Sequence, residues 1–126
     1  MKIVPFKRKI KWSLLATSAG TGDFLDDENF EMIEVSEEVP EEADFGLALN
    51  GDSMEPKYHD NQAVWVQQTN TLKNGEIGIF YLDGMTYCKQ LKDDKDGVFL
   101  ISLNRKYEPI KVSEGSSFRI FGRVLN

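Results

Sequence analysis

A serine and a lysine are the side chains in this sequence best suited to covalent chemistry. Ser53 lies in the segment GDSMEP (residues 51–56), which follows the apolar run at residues 45–49. A serine hydroxyl is a weak nucleophile that needs a base, and backbone N–H groups converging on such a turn can hold an oxyanion. Taken alone, the segment also fits an ordinary turn in which Ser53 makes a local backbone hydrogen bond.

Lys89 is the candidate base. It lies in TYCKQL (residues 86–91), where alternation along a strand places Tyr87 and Lys89 on one face and Cys88 on the other. Burial of a lysine on a partly apolar face lowers its pKa, so that the neutral amine becomes available to accept a proton. In isolation, an exposed strand lysine is the more common case.

A third segment consists of small residues. ATSAGTG (residues 16–22) follows a basic start and precedes an acidic stretch, and its Ala19-Gly20 bond carries no bulk on either side. Small residues allow a backbone to enter a tight cleft, although a plain flexible linker has the same composition.

The remainder predicts a compact, mostly β domain that must position these side chains. Strands are expected at residues 30–35, 45–49, 63–67, 77–82, 85–91, 98–102 and 118–125. The dipeptide Asp83-Gly84 predicts a type I′ hairpin turn. A helical turn can follow Ser53, but Pro56 limits its extension.

Composition excludes several functions. The 126 residues make one domain, and the net charge of −6 makes it a poor candidate for tracking a phosphate backbone. The single cysteine, Cys88, cannot form an internal disulfide, and with one histidine, His59, a structural zinc site is not expected. His59 is interpreted as a surface turn residue rather than a partner of Ser53. No apolar run is long enough to span a bilayer, and the apolar centre after the basic start is too short for a signal peptide.

Taken together, GDSMEP, the downstream Lys89 and the upstream Ala19-Gly20 pair resemble the LexA-type serine–lysine self-cleaving peptidase domain. That family includes SOS repressors, the C-terminal halves of phage repressors related to lambda repressor, and UmuD-like polymerase accessory proteins. The segment SAGTGDFLDD (residues 18–27) is especially similar to repressors of Gram-positive phages. The resemblance implies a LexA/signal-peptidase-like β domain with an N-terminal cleavage-site loop. Residues 1–15 are then a basic arm or linker remnant, and residues 16–126 the peptidase and dimerisation domain.

The resemblance also implies residue roles. Ser53 matches the nucleophile, Lys89 the general base, and Ala19-Gly20 the self-cleaved bond. The backbone N–H groups of Asp52 and Ser53 match the oxyanion donors, and Met54 is expected to pack beneath the turn. No cofactor and no metal are implied.

The implied function is that of a repressor-type regulator that cuts itself in response to DNA damage. The implied partners are a second copy of the chain and a RecA filament, with DNA bound only through a helix-turn-helix domain absent from this chain. A cytoplasmic location without membrane contact is expected. Two alternatives stay open: a UmuD-like accessory subunit of a translesion polymerase, and a dimerisation module that does not cleave. A signal peptidase shares a similar serine-methionine motif and a lysine base, but the acidic balance and the missing anchor argue against it.

Overall fold

The computed structural model describes residues 8–15 and 27–126, and within them the chain is almost entirely β. The elements in chain order are β1 (Arg8–Ser13), a 3₁₀ turn (Asp27–Asn29), β2 (Phe30–Val35), β3 (Phe45–Ala48), β4 (Ala63–Gln68), β5 (Ile77–Leu82), β6 (Met85–Asp94), β7 (Gly97–Ile101), β8 (Ile110–Val112) and β9 (Phe118–Val124). The prediction of a mostly β domain is confirmed. No helix in the described ranges has the length and apolar character needed to cross a bilayer.

The nine strands of the described residues belong to one sheet, in the order β2-β1-β3-β4-β9-β5-β6-β7-β8. Every neighbouring pair is antiparallel except β1 and β3, which run parallel. The last strand, β9, lies between β4 and β5, so the C-terminal segment joins the two halves of the sheet.

The hairpin between β5 and β6 determines where Lys89 lies. Asp83 and Gly84 both have positive φ angles, 47° and 94°, which is the backbone of the predicted type I′ turn. The resulting register places Lys89 opposite Gly78. A Cβ at Gly78 would lie 2.6 Å from the carbonyl oxygen of Gly122 on β9, so only glycine fits at this position.

The two faces of β6 contribute to different core clusters. Cys88 belongs to the largest cluster, which also contains Phe45, Leu47, Leu49, Met54, Tyr58, Val64, Val66, Ile79 and Phe121. Leu91 belongs to a second cluster with Phe80, Leu82 and Leu100. Each fully buried side chain of this kind contributes about 1.5–3 kcal/mol to folding. The strand therefore has an interior on both sides, and Lys89 lies within it at 6% exposure.

The N-terminal segment differs from the sequence-based expectation. Residues 1–15 are predicted as a basic arm or linker remnant, whereas Arg8–Ser13 forms strand β1 inside the sheet. The strand alternates between its two faces: Ile10 is buried at 4% exposure, while Lys9 and Lys11 on either side of it point outward. The short strand β8 was also not predicted. The Ala19-Gly20 bond and the expected cleavage-site loop lie outside the described residues.

Candidate active site

A tight turn after β3 presents Ser53. Gly51 enters it with a φ of 93°, and its N–H donates to Asp60 Oδ1 at 2.7 Å. The expected helical turn follows, with the N–H of Tyr58 donating to the carbonyl of Met54 at 3.0 Å. Met54 is 3% exposed and lies in the largest core cluster, so its side chain fixes the turn to the core next to Ser53.

Ser53 and Lys89 meet across the site. The Ser53 Oγ and the Lys89 Nζ lie 2.8 Å apart, which is hydrogen-bonding distance for a base and the hydroxyl that it deprotonates. The turn supplies one group and the long strand β6 supplies the other, so sheet register and turn geometry together produce the contact. Beside them lies a small pocket of about 20 Å³, bordered by Leu49, Tyr87 and Cys88.

The surroundings of Lys89 favour its neutral form. Burial lowers the pKa of Lys89 below its ordinary value of 10.5. Among the described residues, Lys89 makes no ion pair with a carboxylate; its Nζ lies 5.7 Å from the ring centroid of Tyr87 and 5.9 Å from that of Tyr107. Burial also raises the pKa of the Cys88 thiol to about 12, so this neighbour stays protonated at neutral pH. Lys89 is therefore placed to accept a proton.

A loop between β7 and β8 holds the serine turn from the other side. The backbone N–H of Asn104 donates to the carbonyl of Ser53 at 2.9 Å, and the Asn104 side-chain amide donates to the carbonyl of Asp52 at 3.1 Å. The Asp52 carboxylate accepts from Lys106 Nζ at 2.6 Å and from the hydroxyl of Tyr107. These two donors, Lys106 first, lower the pKa of Asp52.

These loop contacts involve the backbone carbonyls of Ser53 and Asp52 and not the backbone N–H of Ser53. It donates to no acceptor within residues 8–15 and 27–126. The Asp52 N–H faces its own carboxylate, an interaction that contributes to the low pKa of that group. Sequence reasoning did not identify Asn104, Lys106 or Tyr107, because their segment NRKYEP (residues 104–109) has the composition of any polar turn.

The other sequence candidates take no part in the contact between Ser53 and Lys89. The exposed His59 ring contacts the carboxylate of Glu55 at 2.9 Å rather than Ser53, as expected of a surface turn histidine. Cys88 is a buried core residue at 4% exposure. The described residues contain no group of three or more His, Cys, Asp or Glu side chains that could hold a metal ion.

The sequence of this chain has counterparts among known proteins. Residues 13–125 match the family described as Peptidase S24-like, and the chain belongs to that family. It is similar to the LexA repressors of Magnetococcus marinus (35% identical over 82 residues), Oleidesulfovibrio alaskensis (32% over 82) and Acetivibrio thermocellus (34% over 82). The expected LexA-type resemblance is thereby confirmed.

Each alignment covers 64% of this chain but only 36%, 40% and 38% of the respective relative. The chain thus spans about two fifths of the length of the curated relatives it matches. Membership of a peptidase family agrees with a hydrolytic site, while the assignment of Ser53 and Lys89 to that chemistry stays a prediction.

Proposed function

We propose that this chain is the self-cleaving serine–lysine peptidase domain of a repressor-type transcriptional regulator, and that it cuts its own Ala19-Gly20 bond. The observation that carries the proposal is the 2.8 Å contact between the Ser53 hydroxyl and the buried Lys89 amine. The family and the LexA repressors among its relatives support the same assignment.

The proposed reaction has two stages with one base. Neutral Lys89 accepts the Ser53 proton while Oγ attacks the carbonyl carbon of Ala19. The Ser53 N–H stabilises the oxyanion, joined by the Asp52 N–H when it turns from its own carboxylate toward the developing charge. The Lys89 ammonium then gives the proton to the departing amine of Gly20, leaving Ala19 as an ester on Ser53. Water, deprotonated by Lys89, hydrolyses this ester and restores the free serine.

In this proposal, regulation changes how often the Ala19-Gly20 bond is docked against Ser53 and Lys89. A scissile bond in the same chain reaches its nucleophile at high effective concentration, so the rate depends on how often the bond is docked. A RecA filament on single-stranded DNA is the proposed stimulator, favouring the docked state after DNA damage. Homodimerisation, a cytoplasmic location and DNA contact through a separate helix-turn-helix domain complete the proposal.

The test follows the mass of the chain. The purified protein is incubated at neutral and alkaline pH, with and without an activated RecA filament, beside Ser53→Ala and Lys89→Ala. A matched control is Lys92→Ala, which removes an exposed lysine from the same strand. We expect the parent and Lys92→Ala to be cut between residues 19 and 20, and the two dyad variants to stay intact.

An intact parent under all four conditions would contradict the proposal. It would favour the alternative of a dimerisation module that keeps the motif without the reaction. Cleavage at another bond with the same Ser53 and Lys89 dependence would retain the dyad and reject only the assigned bond.

A further inference from the structure

Strands β1 and β2 pair in the sheet, but the proposed cleavage point lies between them in the chain. The Ala19-Gly20 bond falls between β1 (Arg8–Ser13) and β2 (Phe30–Val35) in the chain, yet β1 is inserted between β2 and β3 in the sheet. Among the described strands, β1 is the only partner of β2. A cut at this bond therefore does not by itself remove β1 from the fold.

The backbone contacts of β1 are extensive. It pairs with β2 over six positions, from Arg8 opposite Val35 to Ser13 opposite Phe30, and two of these positions, Lys11 and Trp12, also pair with β3 on the other side. Just beyond β1, the N–H of Leu14 donates to the carbonyl of Asn29 at 2.7 Å. None of these contacts requires the chain to be continuous between β1 and β2.

Arg8 adds a clamp at the start of the strand. Its guanidinium donates to four backbone carbonyls in the turn that follows β2, those of Val39, Pro40, Glu41 and Ala43, at 2.9–3.1 Å. Hydrogen bonds from a charged donor are stronger than neutral ones. Arg8 thus ties β1 to a segment that stays on the larger piece after cleavage.

The side chains of β1 pack into the groove that lies between β2 and β3. Trp12 packs against Trp65 on β4, with ring centroids 5.7 Å apart. The groove floor is Gly46 on β3, where an added Cβ would lie 2.5 Å or less from the Trp65 ring and 3.0 Å from Trp12. Ile10 is buried against Val39 and Ala43. The groove is therefore shaped for one indole and one aliphatic side chain at alternate positions of an extended strand.

We propose that the groove between β2 and β3 is a strand-binding site that retains β1 after the chain is cut, so that cleavage and release are separate steps. The regulatory meaning of this retention rests on the proposed self-cleavage, whereas the binding itself does not. The ligand is an extended segment of this chain that carries an arginine, an aliphatic residue and a tryptophan in the order of Arg8, Ile10 and Trp12.

The test separates binding from self-cleavage. A Ser53→Ala variant receives the recognition sequence of a site-specific protease in place of residues 17–22, and is cut in vitro. Denaturing mass spectrometry measures the extent of cutting, and native mass spectrometry at micromolar concentration measures whether the pieces stay together. The naturally cleaved parent is analysed in the same way.

We expect a one-to-one complex of the two pieces in the native spectrum and two separate masses under denaturing conditions. Free pieces in the native spectrum of the protease-cut variant would overturn the inference. An uncut parent beside a protease-cut variant that retains its strand would reject self-cleavage and leave the binding site standing.

Point variants then test which contacts hold the strand. Release is timed by adding an excess of fluorescent peptide with the sequence of residues 1–16 to the cut protein. We expect Trp12→Ala and Arg8→Ala to exchange roughly tenfold faster or more, as loss of a packed aromatic or a charged clamp predicts. Lys9→Ala, on the exposed side of β1, is the control and should match the unsubstituted strand. Equal exchange by all three variants would contradict the assigned contacts.

Discussion

Replacing Lys89 with methionine should stabilise the protein at neutral pH. Lys89 is 6% exposed, makes no ion pair within the described residues, and has a pKa lowered by burial. Each pKa unit of such lowering corresponds to about 1.4 kcal/mol of unfavourable burial of the charged form. Methionine keeps a long unbranched chain in the same space and carries no charge. Burying a polar group without a compensating hydrogen bond costs about 1–3 kcal/mol, so we expect Lys89→Met to raise the free energy of unfolding by an amount of this order at pH 7.

The pH dependence gives the sharper part of this prediction. Because the pKa of Lys89 is lower in the folded state, the unfolded chain binds more protons between the folded value and 10.5. The free energy of unfolding of the lysine protein therefore rises with pH across that window. The full penalty for burying the charged amine applies only below the pKa of the folded state. The advantage of methionine should be largest at pH 7 and should shrink toward pH 10.

Urea unfolding in a Ser53→Ala background measures this effect without interference from cleavage. Ser53→Ala is compared with Ser53→Ala/Lys89→Met at pH 7, 8.5 and 10, and the Ser53–Lys89 hydrogen bond is absent from both. A gain of 1 kcal/mol corresponds to a rise in Tm of about 4 °C for a domain of this size. Lys92→Met in the same background, at an exposed position, should change stability by less than about 0.5 kcal/mol.

The reasoning fails if Lys89→Met lowers stability by more than the Lys92→Met control at pH 7. It also fails if the difference between lysine and methionine stays constant between pH 7 and pH 10. Either result would mean that the Lys89 amine is as well solvated in the fold as in the unfolded chain.

Three further predictions concern rate and packing. Self-cleavage should accelerate from pH 7 to pH 10 as the neutral fraction of Lys89 grows, and a flat profile of intact mass against time would contradict this. Tyr107→Phe removes one donor to Asp52 and should slow cleavage roughly three- to tenfold with unchanged circular dichroism, because the serine turn is less firmly positioned. Gly46→Ala should cost about 1–3 kcal/mol in urea unfolding, since the added Cβ would overlap the Trp65 ring; an unchanged midpoint would show that the groove can widen.

The part of the fold nearest the site was predictable from sequence. The run at 77–82, the Asp83-Gly84 dipeptide and the alternating segment at 85–91 carry the signals of a hairpin, and β5, the type I′ turn and β6 follow them. The contact between Ser53 and Lys89 was expected from a resemblance rather than from periodicity. No local pattern determines which turn a strand lysine will face.

The remaining elements lacked a local signal. In β1, lysines and an arginine outnumber the apolar residues, so its composition predicts a charged arm and obscures the alternation of Ile10 with outward-pointing lysines. The loop that holds Asp52 lies about 50 residues further along the chain, and its contacts arise because β7 and β8 pair at the edge of the sheet beside β6. Contacts that depend on which distant strands become neighbours are invisible to a reading of short windows.

The position of Cys88 gives the molecule a thiol reporter that needs no introduced label. It is the single cysteine of the chain, it precedes Lys89 on β6, and it is paired with Ile79 in the interior. A buried thiol with a pKa of about 12 is inert toward alkylating reagents until the strands around it separate. When closing is faster than reaction, the alkylation rate reports the free energy of that opening. The rate at which the protein gains the mass of one adduct therefore measures how often the strands around Lys89, the proposed base, open.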